Sequence, residues 1–254
     1  MTAPIQVHYV PTMNGHRVTI ALEEMGLPYE LTCVNIRDGD QFKPEFLAIS
    51  PNNRMPAIVD PDGPGGDPIS VFESAAILKY LGRKSGLFYP ADERQRVEVE
   101  QWLIWSVAHL GPMSGQCGHF HVYAPLLVSD PAELTYARNR FIGEVNLLYG
   151  VIERRLMDRD YLAGDYSIAD MSAWPWTRSG ERLGQTMSDF PNLLAWQARI
   201  GARPAVQRGI AAGADFGVTT RFLDDADKLE STKMLMGQTA ASVRERSARV
   251  SASG

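Results

Sequence analysis

Ser50-Pro51-Asn52-Asn53-Arg54-Met55-Pro56 runs directly into Ala57-Ile58-Val59-Asp60. A turn-rich segment ends at a proline, and a short apolar strand follows at once. The proline pushes Met55 towards extended geometry. Pro56 has no backbone N–H to give to a sheet, so it starts the strand or sits at its mouth. Taken locally, an ordinary trans bond is the better reading, because cis X–Pro bonds are uncommon. A cis bond would instead turn the Met55 backbone outward, free to pair with an extended, peptide-like ligand.

Working outward, Ile5 to Val10 reads as a strand and Pro11-Thr12-Met13-Asn14-Gly15 as a turn. From Asn14 the spacing of Val18, Ile20, Ala21, Leu22 and Met25 predicts a helix, stopped by Gly26-Leu27-Pro28. Tyr29 to Ile36 reads as a second strand and Pro44 to Ile49 as a short helix with Phe46, Leu47 and Ile49 inward. Beyond the quoted stretch, Asp60 to Pro68 is turn chemistry leading into a strand at Ile69-Ser70-Val71. Glu73 to Lys84 then reads as a helix with Ala76, Ile77, Tyr80 and Leu81 on one face. The order is β-α-β-α-β-β-α over roughly 85 residues, a common size for a small domain.

After Ser85 to Ala91 no convincing strand remains. Long helices are predicted over Glu93–Ala108, Pro131–Met157, Ser167–Glu181 and Phe190–Gly201, with a short one from Arg203-Pro204. Gly111-Pro112 is expected to kink the chain, leaving it irregular through His121. Ser167 and Asp170 have the spacing of a helix cap, a folding device. Asp224 to Met236 is compatible with a helix. Gln238 to Gly254, rich in Ala, Ser and Arg, reads as a mobile tail.

Of the 254 residues, 44% are hydrophobic and 22% charged, with a net charge of -5. That balance provides no broad positive field, which argues against nucleic acid or an anionic membrane as the main partner. Met1 to Gln6 lacks the basic start and apolar core of a signal peptide, and no apolar run approaches a membrane span. A cytoplasmic location is expected. Cys33 and Cys117 read as free thiols in a reducing compartment.

The arrangement resembles the cytosolic glutathione transferases over about residues 5 to 212. Pro11 to His16, Gly39 to Phe46, Ser50 to Asn53, Phe72-Glu73-Ser74, and Leu110 to Met113 with Gly115-Gln116 are similar to the bacterial nu class, which is related to the fungal nitrogen-regulating prion protein. The resemblance implies a thioredoxin-like α/β domain at 1–85, an all-α domain at 92–215, an extension at 216–254 that is partly mobile, and a homodimer. It implies that Pro56 is cis and that Met55 pairs with the cysteinyl part of glutathione. One or two glutathiones, or one glutathione disulfide, are expected per site.

Candidate site residues follow from the residues and the resemblance together. Thr12 can donate to a thiolate, and Asn14 stands at a helix start, where backbone donors favour an anion. A thiol with a pKa of about 8.5 is only about 3% ionised at pH 7, so lowering that pKa is the main service of such a site. Taken alone, Thr12 and Asn14 read as a turn and cap. Beside Met55-Pro56 and Glu73-Ser74 they read as catalytic. Ser74 can bind a carboxylate at a helix N-terminus, and Glu73 can pair with an ammonium; the resemblance assigns both to the γ-glutamyl end. Gln41 and Arg54 fall where relatives touch the glycyl end or the ligand backbone, and Arg140 where the class reaches across the dimer. Trp105, His119 and Phe120 are expected to border a co-substrate pocket. His119-Phe120-His121 is not read as a metal site, for want of a third ligand. Cys117, which could form a mixed disulfide with glutathione if partly exposed, is read as a bystander and Cys33 as buried and inert.

The expected chemistry is thiol–disulfide exchange with bound glutathione as nucleophile. Hydroperoxide reduction and weak conjugation are side activities. A lyase cleaving β-aryl ethers and a non-enzymatic glutathione-binding regulator are the alternatives.

Overall fold

The computed structural model describes residues 3–36, 38–216 and 238–252. Met1–Ile77 and Gly209–Gly254 form one compact unit and Leu78–Arg208 another.

The first unit is built on four strands: β1 (Ile5–Tyr9), β2 (Tyr29–Cys33), β3 (Ala57–Asp60) and β4 (Ile69–Phe72), in the order β2-β1-β3-β4. β1 and β2 run parallel with Ile5 opposite Tyr29; β3 is antiparallel to both β1 and β4, with Ile58 opposite Val7 and Val71. Period-2 alternation places Ile5, Val7 and Tyr9 inside. Helix α1 (Met13–Met25) makes the parallel crossover and buries Val18, Ile20, Ala21 and Leu22. Gly26, in the left-handed region at φ 63°, ends it. Helix α2 (Pro44–Ile49) covers a small cluster of Val34, Phe46 and Ala57, joined by Ile49 and Met55. β2 is shorter than its apolar run. The ladder stops where Tyr9 meets Cys33, because β1 gives way to the turn at Pro11.

Helix α3 (Ser74–Ser85) follows β4; along it Ile77, Leu78, Tyr80 and Leu81 are buried, whereas Ala76, expected inward, is exposed. The second unit is helical: α4 (Glu93–Trp105), α5 (Gly111–Gly118), α6 (Thr135–Arg155), α7 (Ile168–Thr177), α8 (Pro191–Gly201) and α9 (Pro204–Ala211). Gly111-Pro112 does not break the path. A π turn at Ser106–Leu110 precedes it and a second, His119–Tyr123, follows α5. The wider turn accommodates a proline that lacks an N–H and crowds the carbonyl four residues back. Before α6 the chain winds as a tighter turn at Pro131–Leu134. α7 stops at Thr177, short of Glu181. Its capping box is present: Ser167 N and Oγ face Asp170 Oδ2 at 3.1 and 3.4 Å. Asp170 is fully buried, and Oδ1 also accepts from Leu162 N and Trp196 Nε1. Burial pushes its carboxyl up to about 6.

The chain end carries a helix where the composition reads as a tail. Residues 240–252 form helix α10 (Ala240–Ala252), entered through a reciprocal pair: Thr239 N donates to Ser242 Oγ at 2.8 Å, and Ser242 N to Thr239 Oγ1 at 3.2 Å. α10 packs on the turn Asp40–Phe42 and on α2, with the Arg246 guanidinium 5.2 Å from the Phe42 ring centroid. The expected helix at Asp224–Met236 lies outside the described residues. The chain also returns to α1 at its other side: Gly209 sits so close to Ile20 that a Cβ would lie 2.7 Å from its Cα.

Candidate glutathione-binding site

Turn chemistry places the site at the end of the sheet. Thr12 is the N-cap of α1, and its Oγ1 accepts from Gly15 N at 3.1 Å. Gly15 is required by contact: a Cβ there would lie 2.4 Å from the Tyr9 ring and 2.6 Å from the Val10 carbonyl oxygen. Asn14 therefore enters the first turn of α1 directly above the strand end. Across from it, the loop 50–56 is tied by Ser50 Oγ donating to Arg54 O at 2.7 Å. The Met55–Pro56 bond is cis. β4 ends at Phe72, Glu73 adopts φ 69° in the left-handed region, and its carbonyl accepts from Ile77 N at 2.9 Å to open α3 at Ser74.

These three segments enclose a cavity of about 300 Å³, lined by Asn14, Arg54, Met55, Glu73 and Ser74 together with Ser50, Asn52 and Phe72. Ser74 is 7% exposed, whereas Arg54 and Glu73 are open to solvent. Two helix starts, those of α1 and α3, contribute to one hollow, and helix starts favour anions. Beneath it lies a residue that the sequence reading passed over. Arg17 is buried, with Nη1 donating to Asn14 Oδ1 at 2.8 Å and to Ser74 Oγ at 3.0 Å. The signal was present: Arg17 shares the inward stripe of α1 with Ala21 and Met25, where an unaided charge has no reason to be.

Other expected residues are placed differently. Thr12 does not line the cavity and stands two residues before Asn14 as the cap. Gln41 is 1% exposed, with Nε2 donating to Ile36 O at 3.4 Å, and does not line the cavity either. Arg140, Trp105, His119 and Phe120 belong to the other unit. There Arg140 is paired with Glu144, Trp105 meets Trp102 edge-on, and Phe120 lies between His119 and a stacked Phe141.

The two cysteines sit in different surroundings. Cys117 is fully buried; its Sγ lies 3.5 Å from Leu183 O, and burial pushes the thiol up to about 11. Cys33 is half-exposed rather than buried, and its thiol is raised by desolvation and by Asp40 and Asp38. Neither is primed as a thiolate. Among the described residues no His, Cys, Asp and Glu group is arranged to hold a metal ion, and no helix is long and apolar enough to cross a membrane.

Comparison with known proteins agrees with this layout. Residues 14–84 match the family model for the glutathione S-transferase N-terminal domain and 129–204 that for its C-terminal domain. The chain is 44% identical over 208 residues to the disulfide-bond oxidoreductase YfcG of Escherichia coli, covering 81% of this chain and 94% of that protein. The chain belongs to the glutathione transferase family. Two solved family members share its fold. One, from Pseudomonas fluorescens with two glutathiones bound, has a TM-score of 0.76 and 42% identity, covering 81% of this chain and 92% of that one. The other, from Pseudomonas putida with one glutathione disulfide per subunit, has a TM-score of 0.77 and 41% identity, covering 82% and 91%. The thioredoxin-like unit followed by helices is the architecture expected of the family.

Proposed function

We propose that this transferase reduces small disulfides with bound glutathione as the nucleophile, in the manner of a nu-class enzyme. The observation that carries the reading is the convergence of Asn14, Met55, Glu73 and Ser74 on one cavity at two helix starts. The glutathione and glutathione disulfide bound by the two Pseudomonas relatives, and the activity named for YfcG, support it.

In this reading Ser74 and the start of α3 hold the γ-glutamyl carboxylate, Glu73 pairs with its ammonium, and the Met55 backbone pairs with the cysteinyl part. Arg54 answers the glycyl end. Thr12 and Asn14, with the start of α1, stabilise the thiolate. The glutathione thiolate attacks one sulfur of a disulfide; a new S–S bond forms, the old one breaks, and the departing thiolate takes up a proton. A second glutathione thiolate attacks the mixed disulfide, yielding glutathione disulfide and a free thiol. Two glutathiones supply the two electrons, and no protein cysteine takes part. The high-lying thiol of Cys117 supports that exclusion.

The wider reading is a cytoplasmic homodimer. It has a glutathione domain at 1–85 and a helical domain at 92–215 that offers Trp105, His119 and Phe120 to the co-substrate. Gln41 and Arg140 complete glutathione recognition, Arg140 from the dimer partner.

The test is reduction of a small mixed disulfide by glutathione, coupled to glutathione reductase and NADPH, in wild type and in Cys33→Ser/Cys117→Ser protein. Equal turnover in the two is expected. Loss of activity in the double variant would move the nucleophile to a protein thiol. Absence of turnover in both, with glutathione still bound, would overturn disulfide reduction in favour of ether cleavage or pure binding.

A further inference from the structure

The polarity of the cavity is set from underneath. Arg17 donates through one nitrogen to Asn14 in the first turn of α1 and to Ser74 in the first turn of α3. A guanidinium offers five N–H donors and no acceptor, so anything facing it must present an oxygen lone pair. That requirement fixes the Asn14 amide with Oδ1 inward and Nδ2 turned away from Arg17. It also occupies a lone pair of the Ser74 hydroxyl, which leaves its own proton directed elsewhere. We propose that Arg17 is a positioning residue of the glutathione site: by taking the oxygens of Asn14 and Ser74 it makes both side chains present donors to an anionic ligand, and it locks the two helix starts into one register. This rests on the glutathione reading above.

Charge works in the same direction as geometry. Desolvation lowers Arg17 to about 9, opposed by the nearby Glu73 carboxylate, so it stays a cation at neutral pH. A buried positive charge below the hollow favours an anion within it. Lysine would be a poor substitute. Its ammonium is a compact point charge that loses its proton more readily when buried and lacks the planar fork.

The experiment titrates the thiol of bound glutathione by its thiolate absorbance in wild type, Arg17→Met, Asn14→Ala and the double variant. Calorimetry measures glutathione binding and thermal melts check folding. Arg17→Met is expected to raise the bound-thiol pKa by about one unit, a severalfold loss of thiolate at pH 7. It should also raise KM for glutathione. Arg17→Lys should recover part of both. Asn14→Ala should add little in the Arg17→Met background, since the two act through one hydrogen bond.

Wild-type protein supplies an arm that does not depend on folding of a variant. A glutathione analogue with the γ-glutamyl α-carboxylate converted to the amide should bind at least about tenfold more weakly, because its NH₂ meets donors. A folded Arg17→Met that titrates as wild type, or additive effects of Arg17→Met and Asn14→Ala, would each overturn the role of Arg17 while leaving the glutathione reading intact; equal binding of the two ligands would overturn both that role and the placing of the γ-glutamyl carboxylate at Ser74. Wild-type protein that binds no glutathione would overturn both.

Discussion

In the proposed reading Thr12 carries two tasks. Its oxygen caps α1 by accepting from Gly15 N, and the proposal gives its hydroxyl proton to the thiolate. Thr12→Ala should cost about 1 kcal/mol of stability through the lost cap. It should also lower turnover and the fraction of bound thiolate without unfolding the protein, whereas Thr12→Ser should keep both functions. Unchanged thiolate absorbance and turnover in Thr12→Ala would remove the residue from the mechanism. At this scale the sequence was legible where chemistry is local. Turn residues, a pre-proline methionine and a Glu-Ser pair before a helix announce themselves by type, and the structure gathers Asn14, Met55, Glu73 and Ser74 around one cavity. The burial of Gln41 was not legible: the turn that carries it also packs against a helix two hundred residues on. Arg17 was overlooked although it shares the inward stripe of α1, because its partner Ser74 lies far along the chain.

The helix starts make the sharpest element-scale predictions. Asp170 accepts from the backbone of Leu162 and Ser167 and from the Trp196 indole. Asp170→Ala strands these buried donors and should cost about 3–5 kcal/mol, measured by urea unfolding. The pH dependence has a definite sign. Burial lifts this carboxyl from 3.8 to about 6, so the folded state holds its proton more tightly than the unfolded chain does. Its contribution to stability is greatest below about pH 4 and declines as the pH rises to about 6. Asp170→Ala should flatten that part of the profile. Helix α10 offers a second test. Its sequence, poor in large apolar residues, reads as a tail because composition does not reveal a docking surface. Arg246 finds one in the Phe42 ring, and Asn53 Nδ2 donates to Gln238 Oε1 at 3.3 Å. Arg246→Ala should lower stability by about 0.5–1 kcal/mol. Ending the chain at 237 should lower the thermal midpoint by several degrees.

At the scale of the whole molecule, the succession of strands and helices along the chain was readable because hydrophobic period switches from two to near four at the right places. The π turns around α5 were not, since they answer a local crowding at Pro112 that periodicity does not encode. The proposed homodimer predicts a molecular mass of twice the chain in sedimentation and a melting temperature that rises with protein concentration; a monomer at all concentrations would also remove Arg140 from glutathione recognition.

The return of the chain to its first unit bears on how it is made. Thr19 Oγ1 donates to Gly209 O at 2.7 Å, and the Tyr9 hydroxyl to Ala212 O at 3.2 Å. Both acceptors belong to the last fifth of the polypeptide. On a ribosome the strands and α1 emerge first, yet the buried hydroxyls of Tyr9 and Thr19 must wait until all of Leu78–Arg208 has been synthesised before these partners arrive. The unit that begins the chain is thus the last to be finished, and a nascent chain stalled near residue 208 should hold its glutathione-binding half in an incomplete, protease-sensitive state.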